Sequence, residues 1–409
     1  MFERVAGEQS NKILKMKSIH PILIPLLYIP IIWAFSGLFL YSNSYKVAMI
    51  STIVAALSST YLFSFKQILK WCKRRRLLPF FALAATYAVI SKEVHGYNTN
   101  EMRGLFTLLT LGIFTPNEAL LKIRENLHWL LFMLSLIGLS YMAYYAIYLK
   151  IPRGAGDINP IPYSAAMSAA ACLSLYHSIK MQNTTHRLVM FLAFVLYVCA
   201  IFLSGTRGAL LSLSIVSILI LISTFITNLK SGAIYLCLVL SATCITATIF
   251  KDNIEARYNY TMNEVEHLEA GSSNSSIGLR LQMYQAALEI STPPKLLGYG
   301  ADNFSSLKRS LNQQGLISKV AVRMNSFHNQ FLHNLVIYGF IGFCITLLWF
   351  VYPTYVAWKS ENIALAPVLI VGASYFTSAM TDVPLQKIYS LFFFGVLLLL
   401  LLEERQVED

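Results

Sequence analysis

Long apolar runs follow one another from near residue 20 to near residue 400, and they constrain this chain more than any other feature. A helix that crosses a bilayer needs about 20 predominantly apolar residues. Twelve segments approach or reach that length: 21–41, 45–65, 77–92, 103–121, 127–149, 162–180, 188–204, 209–228, 232–250, 335–358, 363–381 and 388–402. The third, fourth and last are short for a span. With no water in the bilayer core, each segment must satisfy its own backbone groups, which makes it a helix. Composition agrees, with 56% hydrophobic and 13% charged residues among 409, against about 25% charged in a soluble domain. A water-soluble enzyme is excluded, as are disorder and a disulfide scaffold. The expected fold class is all-α: a polytopic integral membrane protein of about twelve transmembrane helices. Met1 to His20 is too long and polar for a signal-peptide n-region, so the first span is expected to be retained.

The net charge of +12 would suggest nucleic acid in a soluble protein. In a membrane protein its distribution sets orientation, because Lys and Arg collect in cytoplasmic loops. The densest basic run is Lys66, Lys70, Lys73, Arg74, Arg75 and Arg76. Placing it in the cytoplasm puts both termini there as well. Arg4, Lys12, Lys15, Lys17, Lys122, Arg124, Lys180, Arg187, Lys230, Lys359 and Arg405 then join it. The short outer loops hold Lys46, Lys92, Arg103, Lys150, Arg153, Arg207 and Lys387. Seventeen inner against seven outer basic residues support that orientation.

In this orientation the longest polar stretch, 251–334, is extracytoplasmic. It divides the chain into a nine-helix region (1–250), a large loop (251–334) and a three-helix region with a tail (335–409). The loop's charges nearly balance, and it reads as a folded region. Residues 253–269 and 277–291 carry helical patterns, with Ser276 the expected cap of the second. Gly271 to Ser275 separates them, and Thr292-Pro293-Pro294 ends the second. Leu297-Gly298-Tyr299-Gly300 is a weak turn signal, neither a dinucleotide fingerprint nor a P-loop. The six cysteines lie in or beside spans and none in 251–334. No C-x-x-C or paired Cys/His spacing occurs, so a zinc site is not expected.

The polar residues of interest gather at the external ends of the spans. Ser204-Gly205-Thr206-Arg207-Gly208 is a tight turn between two apolar runs. An arginine at that depth pairs, faces a polar cavity or snorkels to the interface. Arg280 opens the second loop helix, where the helix N-terminus adds partial positive charge suited to phosphate; a solvated helix face is the plainer alternative. His328, in Ser326-Phe327-His328-Asn329-Gln330, can take up a proton near neutral pH, or be held in a structural hydrogen bond. His333 is five residues on, a poor spacing for sharing one helix face. Asp382, at the end of the eleventh span, can orient a histidine, pair with an arginine or cap its own loop.

Together these pieces resemble the O-antigen ligases of the O-antigen ligase/polymerase superfamily, of enterobacterial type. The resemblance covers the layout from about residue 20 to 400 and is specific in four places. Leu203 to Leu210 (LSGTRGAL) resembles the family's arginine turn. Arg257-Tyr258-Asn259, followed by Gly278 to Tyr284 (GLRLQMY), resembles the ligase loop. His328-Asn329, nine residues, then Gly339-Phe340-Ile341-Gly342 fits the ligase pattern, and Thr381-Asp382-Val383 resembles the short terminal external loop. The first half matches in hydropathy only.

The resemblance implies a GT-C-like membrane glycosyltransferase of lipopolysaccharide biosynthesis. Its donor is an undecaprenyl-diphosphate-linked O-antigen, and its acceptor is a terminal sugar of lipid A–core oligosaccharide. It acts at the periplasmic face of the inner membrane, inverts the anomeric centre and uses no cofactor or metal. His328, Arg207 and Arg280 are then the expected catalytic residues, with Arg257, Tyr284, Asn329 and Asp382 binding substrate. A diphosphate leaving group needs charge neutralisation more than a strong acid, which bidentate arginines supply. The expected partners are the donor, the acceptor and membrane lipids, not nucleic acid. An O-antigen polymerase uses the same donor and stays open as an alternative. A lipid-linked glycan transporter would instead show ionisable residues at mid-span and broken helices in corresponding halves.

Overall fold

In the computed structural model of the protein, residues 23–151, 154, 156–269, 274–360 and 365–403 are described. Arg4, Lys12, Lys15, Lys17, Arg153, Arg405 and Gly271 to Ser273 lie outside them, as do the first residues of the spans at 21–41 and 363–381. Among the described residues every regular element is helical. In chain order they are α1 (Leu23–Leu26), α2 (Ile29–Phe35), α3 (Ser44–Leu62), α4 (Phe65–Arg74), α5 (Leu78–His95), α6 (Thr99–Phe114), α7 (Asn117–Glu125), α8 (Leu127–Ala143), α9 (Pro160–Lys180), α10 (Thr184–Ser204), α11 (Arg207–Thr227), α12 (Leu229–Ile249), α13 (Lys251–Glu269), α14 (Ser276–Ile290), α15 (Phe304–Gln313), α16 (Gln330–Ile337), α17 (Gly339–Trp358), α18 (Leu365–Ala379) and α19 (Ile388–Leu402). A π turn at Tyr144–Tyr148 extends α8. Asparagine is the recurrent N-cap: the side chains of Asn98, Asn159, Asn183, Asn228 and Asn329 accept from the first-turn N–H groups of α6, α9, α10, α12 and α16.

Six of these helices are long and apolar enough to cross a membrane, or eight if two bent pairs each count as one span. The sequence expectation of twelve exceeds this for local reasons. The run at 21–41 is divided between α1 and α2, and α2 already ends at Phe35. The run at 103–121 breaks at Thr115-Pro116, since proline cannot continue a helix, and α7 leaves α6 at 104°. Helix α4 meets α5 at 93°. Helices α18 and α19 are apolar, with 15 described residues each, about 22 Å of helix.

Helix α9, rich in Ala and Ser, is the hub. It packs against α8, α10, α11, α18 and α19, and all but a few of its residues are buried. Small side chains let helix axes approach closely where lipid gives no hydrophobic drive between helices, and hydroxyls add interhelical bonds. Ser168 Oγ donates to Ser212 Oγ at 3.2 Å, and Ser212 Oγ donates to the Ser374 carbonyl at 2.8 Å, joining α9, α11 and α18. The apolar α12 lies at the other extreme, with Leu229, Ile234, Leu238, Leu240, Ile245 and Ile249 exposed. An exposed apolar face of that extent suits lipid.

Two polar contact clusters stand apart in the bundle. At one, Arg75 from the basic run is buried rather than solvated. Its guanidinium meets Glu403 at 3.3 Å and Asn117 Oδ1 at 2.8 Å, and it donates to the Gly112 carbonyl. This arginine closes the α4–α5 turn onto the α6–α7 bend and the end of α19.

The other involves the 251–334 segment. Two of its helices match the sequence pattern as α13 and α14. The cap of α14 is Ser275, whose hydroxyl accepts from Gly278 N; Ser276 N donates to Glu264 instead, at 2.9 Å. A third helix, α15, adds to them. The glycine run at 297–300 is a backbone clasp. Tyr299 N and Gly300 N donate to the Val336 and Ile337 carbonyls, and Phe340 N donates to that of Lys295. Gly298 (φ +79°) and Gly339 (φ +68°) lie so close that a Cβ on either would strike the other's backbone. Adding one, in a left-handed conformation that costs about 1–2 kcal/mol for an L residue, has no room to relax. Gly298→Ala is therefore expected to lower the thermal midpoint of the detergent-solubilised protein by several degrees, while Gly315→Ala, at an open position with φ +76°, costs only the backbone strain.

Candidate functional site

The loop end gathers most of the residues singled out from sequence around the 380–382 turn. Helix α10 ends at Gly205 in the left-handed conformation (φ +56°). Thr206 is the N-cap of α11 and Arg207 its first residue. Beneath the turn, Ser164, Ser204 and Thr206 form a buried hydroxyl cluster with contacts of 2.7–3.1 Å. Gly208 leaves no space for a Cβ, because the Thr381 side chain fills it. The arginine turn is thereby packed directly against Thr381-Asp382.

Arg207 is half-spoken for. Its Nη1 donates to Glu264 Oε2 at 2.7 Å and to Thr261 Oγ1 at 3.2 Å, whereas Nη2 is buried with no partner. A buried donor without a partner is rare and calls for an explanation; an anionic ligand is one. Glu264, not among the residues singled out from sequence, is buried at the centre of this contact. Its other oxygen holds Ser276 N at the start of α14. A glutamate spaced from its partner by 57 residues leaves no local sequence signal.

His328 has φ +53°, an uncommon conformation for a non-glycine residue, of the kind that clusters at functional sites. Its Nδ1 faces Asp382 Oδ1 at 3.5 Å, too far for a formed hydrogen bond, and Nδ1 is otherwise unpartnered. Its Nε2 lies 3.3 Å from Met324 Sδ. Asp382 Oδ1 also accepts from Val383 N at 2.8 Å, so the carboxylate caps its own loop and faces the imidazole at once.

Tyr284 and Asn329 serve the same turn from two sides. Tyr284 Oη makes contacts of 2.8 Å with the His328 carbonyl and 3.2 Å with the Met380 carbonyl. Burial pushes its phenol up, Arg280 pulls it down and Asp382 pushes it up again, so it remains a donor near neutrality. Asn329 caps α16 with its oxygen and donates from Nδ2 to the Met380 carbonyl at 3.2 Å. Arg280 stands one turn before Tyr284 on α14, half-buried, and its charge reaches that phenol. Arg257 lies one turn before Thr261 on α13: its guanidinium is 5.2 Å from the Tyr260 ring centre, and its carbonyl accepts from Thr261 Oγ1, the hydroxyl that Arg207 meets. These contacts join the residues expected from sequence, Arg207, Arg257, Arg280, Tyr284, His328, Asn329 and Asp382, in one neighbourhood. Among the described residues no group of three or more His, Cys, Asp or Glu could hold a metal.

Burial distinguishes the two histidines of this region. His333 Nδ1 accepts from Phe327 N at 3.3 Å. Burial first, then His328, pulls the imidazole down from 6.5 to about 3, so His333 is a neutral structural acceptor. The unfolded chain takes up this proton below about 6.5 and the folded one not until about 3. The stability His333 confers is therefore present above pH 6.5 and lost as pH falls through that window. A lower thermal midpoint at pH 5 than at pH 7.5 is expected, with His333→Gln flattening that difference.

The architecture and this constellation define a multi-pass membrane protein with a polar site at one end of its bundle. A family described as O-antigen ligase matches residues 192–347, a range that includes Arg207, Glu264, Arg280, Tyr284, His328 and Gly339 but not Asp382. An uncharacterized protein of Haemophilus influenzae is 29% identical over 193 residues, covering 46% of this chain and 48% of that protein. An O-antigen ligase of Escherichia coli is 25% identical over 248 residues, covering 56% of this chain and 57% of the ligase. The chain spans about half the length of the curated relatives it matches. Over residues 192–347 the chain is similar to the O-antigen ligase family.

Proposed function

We propose that the protein is an O-antigen ligase, transferring a glycan from a polyprenyl-diphosphate carrier, undecaprenyl diphosphate, to a terminal sugar of lipid A–core oligosaccharide. The observation that carries this is the pairing of Arg207, with one guanidinium nitrogen fixed and the other unpartnered, with a His328–Asp382 couple across the same turn. The end of the bundle bearing 251–334 faces the periplasm of the inner membrane, and the buried Arg75 end faces the cytoplasm with both termini.

In this mechanism His328 accepts the proton of the acceptor hydroxyl as that oxygen bonds to the anomeric carbon. The bond from that carbon to the diphosphate oxygen breaks, and the diphosphate leaves with the electron pair. Attack opposite the leaving group inverts the centre. Arg207 and Arg280 bind the leaving diphosphate, where charge develops in the transition state. Glu264 neutralises part of Arg207 and aims it, so Arg280 supplies the less compensated charge. Asp382 orients the imidazole and stabilises the imidazolium. The base function requires Nε2 to be free, so the flexible Met324 side chain must swing off it. With their polar atoms committed to the loops, Tyr284 and Asn329 act as positioning residues. Arg257, one turn before Thr261 on α13, binds substrate beside Arg207.

The test is transfer of labelled glycan in proteoliposomes holding purified protein, lipid-linked donor and lipid A–core. His328→Ala is expected to cut turnover by about 10²–10⁴-fold, the usual contribution of a general base. Arg207→Lys and Arg280→Lys are each expected to lose about 10²-fold or more, since the planar fork is lost though the charge remains. Full activity in both lysine variants removes the clamp. Chelator is expected to leave the rate unchanged. Label growing on lipid-linked chains rather than on core would make the protein a polymerase.

A further inference from the structure

A second polar cavity lies outside the cluster just described. It is an open groove of about 500 Å³ lined by His95, Lys295, Tyr299, Asn303, Ser306 and Ser310, with Gly298 and Leu307. That volume lies within the usual range for small-ligand sites. The groove is built where the 295–300 clasp meets the end of α5: Ala301 N donates to the Gly96 carbonyl, and Gly300 packs against His95. Its lining holds one full charge, Lys295, and no acid. The nearby Asp302 carboxylate packs on Gly96 instead. Lys295 Nζ is held 3.6 Å from the Tyr299 ring centre, so the ammonium is pre-positioned against an aromatic plate. Both ring nitrogens of His95 are buried and unpartnered, which is hydrogen-bonding capacity left unused.

Asn303, Ser306 and Ser310 have the spacing of one helical face at α15 and its cap. The bonds that pin them run from Asn303 Nδ2 to the Tyr299 carbonyl, from Ser306 Oγ to the Asn303 carbonyl and from Gln314 Nε2 to Ser310 Oγ. These leave Asn303 Oδ1 and the Ser310 hydroxyl hydrogen for a ligand. The opposite face of α15 looks toward His328. Phe304 packs on Phe327 and His333 with ring centres 5.4 Å apart, and Lys308 Nζ donates to the carbonyl of Met324 at 2.6 Å. Helix α15 is thus the partition between this groove and the loop that carries His328.

We propose that this groove is the subsite for a negatively charged, phosphate-bearing sugar of the glycosyl acceptor, holding it while a more distant hydroxyl of the same oligosaccharide reaches His328. Lys295 meets the phosphate as a point charge, and the amide and hydroxyl groups of the α15 face take the sugar hydroxyls. This assignment rests on the ligase reading for the identity of the acceptor, but its test does not need transfer to occur.

The experiment is saturation-transfer NMR on the full chain in nanodiscs, without donor, using glucose 6-phosphate and glucose as probes and inorganic phosphate as a competitor. Glucose 6-phosphate is expected to give a signal that glucose gives several-fold more weakly and that Lys295→Gln and the groove-filling Ser306→Trp abolish. In the transfer assay Lys295→Gln is expected to raise the acceptor KM about tenfold, some 1.4 kcal/mol, with donor KM and saturated kcat unchanged. Equal signals from glucose, equal affinity for bare phosphate, or binding retained in both variants overturns the proposal. Sugar-phosphate binding lost on Lys295→Gln in a protein that transfers nothing would support the subsite and overturn the ligase reading.

Discussion

Glu264 is the residue on which the assembly of the site depends. One carboxylate oxygen takes the Arg207 guanidinium at the head of α11, and the other takes the backbone N–H that opens α14. A single buried acid therefore ties a bundle helix to two helices of the long polar segment. It sets the position of α14, and with it Arg280 and Tyr284. Tyr284 then reaches the His328 and Met380 carbonyls. Removing one partner of such a pair leaves a buried charge uncompensated, which costs about 3–5 kcal/mol in a dry site; Arg207 is about a quarter exposed, so the cost here is smaller.

The same pair controls the electrostatics. A free arginine at this depth would snorkel or collect any anion. One held by a carboxylate keeps its geometry and presents only its second nitrogen. Close packing does the rest, since Gly208 admits the Thr381 side chain and brings the arginine turn against the loop bearing Asp382. The 204–208 turn, the Thr261–Glu264 turn of α13 and the 380–382 loop, distant from one another in sequence, meet there.

Much of the bundle was legible from hydropathy. The broad helical runs, the tight turn at Gly205 and two helices of the polar segment follow from apolar length, glycine and cap chemistry. Apolar length misled where a proline or a change of direction cut a run, as at Pro116. It also gave α9 no special rank, although that Ala- and Ser-rich helix is the most enclosed of the long ones. Periodicity reports which residues are apolar, not which helix other helices surround.

Sequence by itself determined that this chain is a helical membrane protein and that Arg207, His328 and Asp382 stand at or beside helix ends, because those facts depend on local composition and spacing; Arg280 lies a full turn inside α14, not at its opening. Only the tertiary structure decided that Glu264 engages Arg207, that His333 is a buried acceptor while His328 faces Asp382, that Arg75 is a buried clamp, and that the glycine run is a clasp walling a second groove. Each of these is a contact between segments distant in the chain, and such contacts are fixed by packing, which no local pattern encodes.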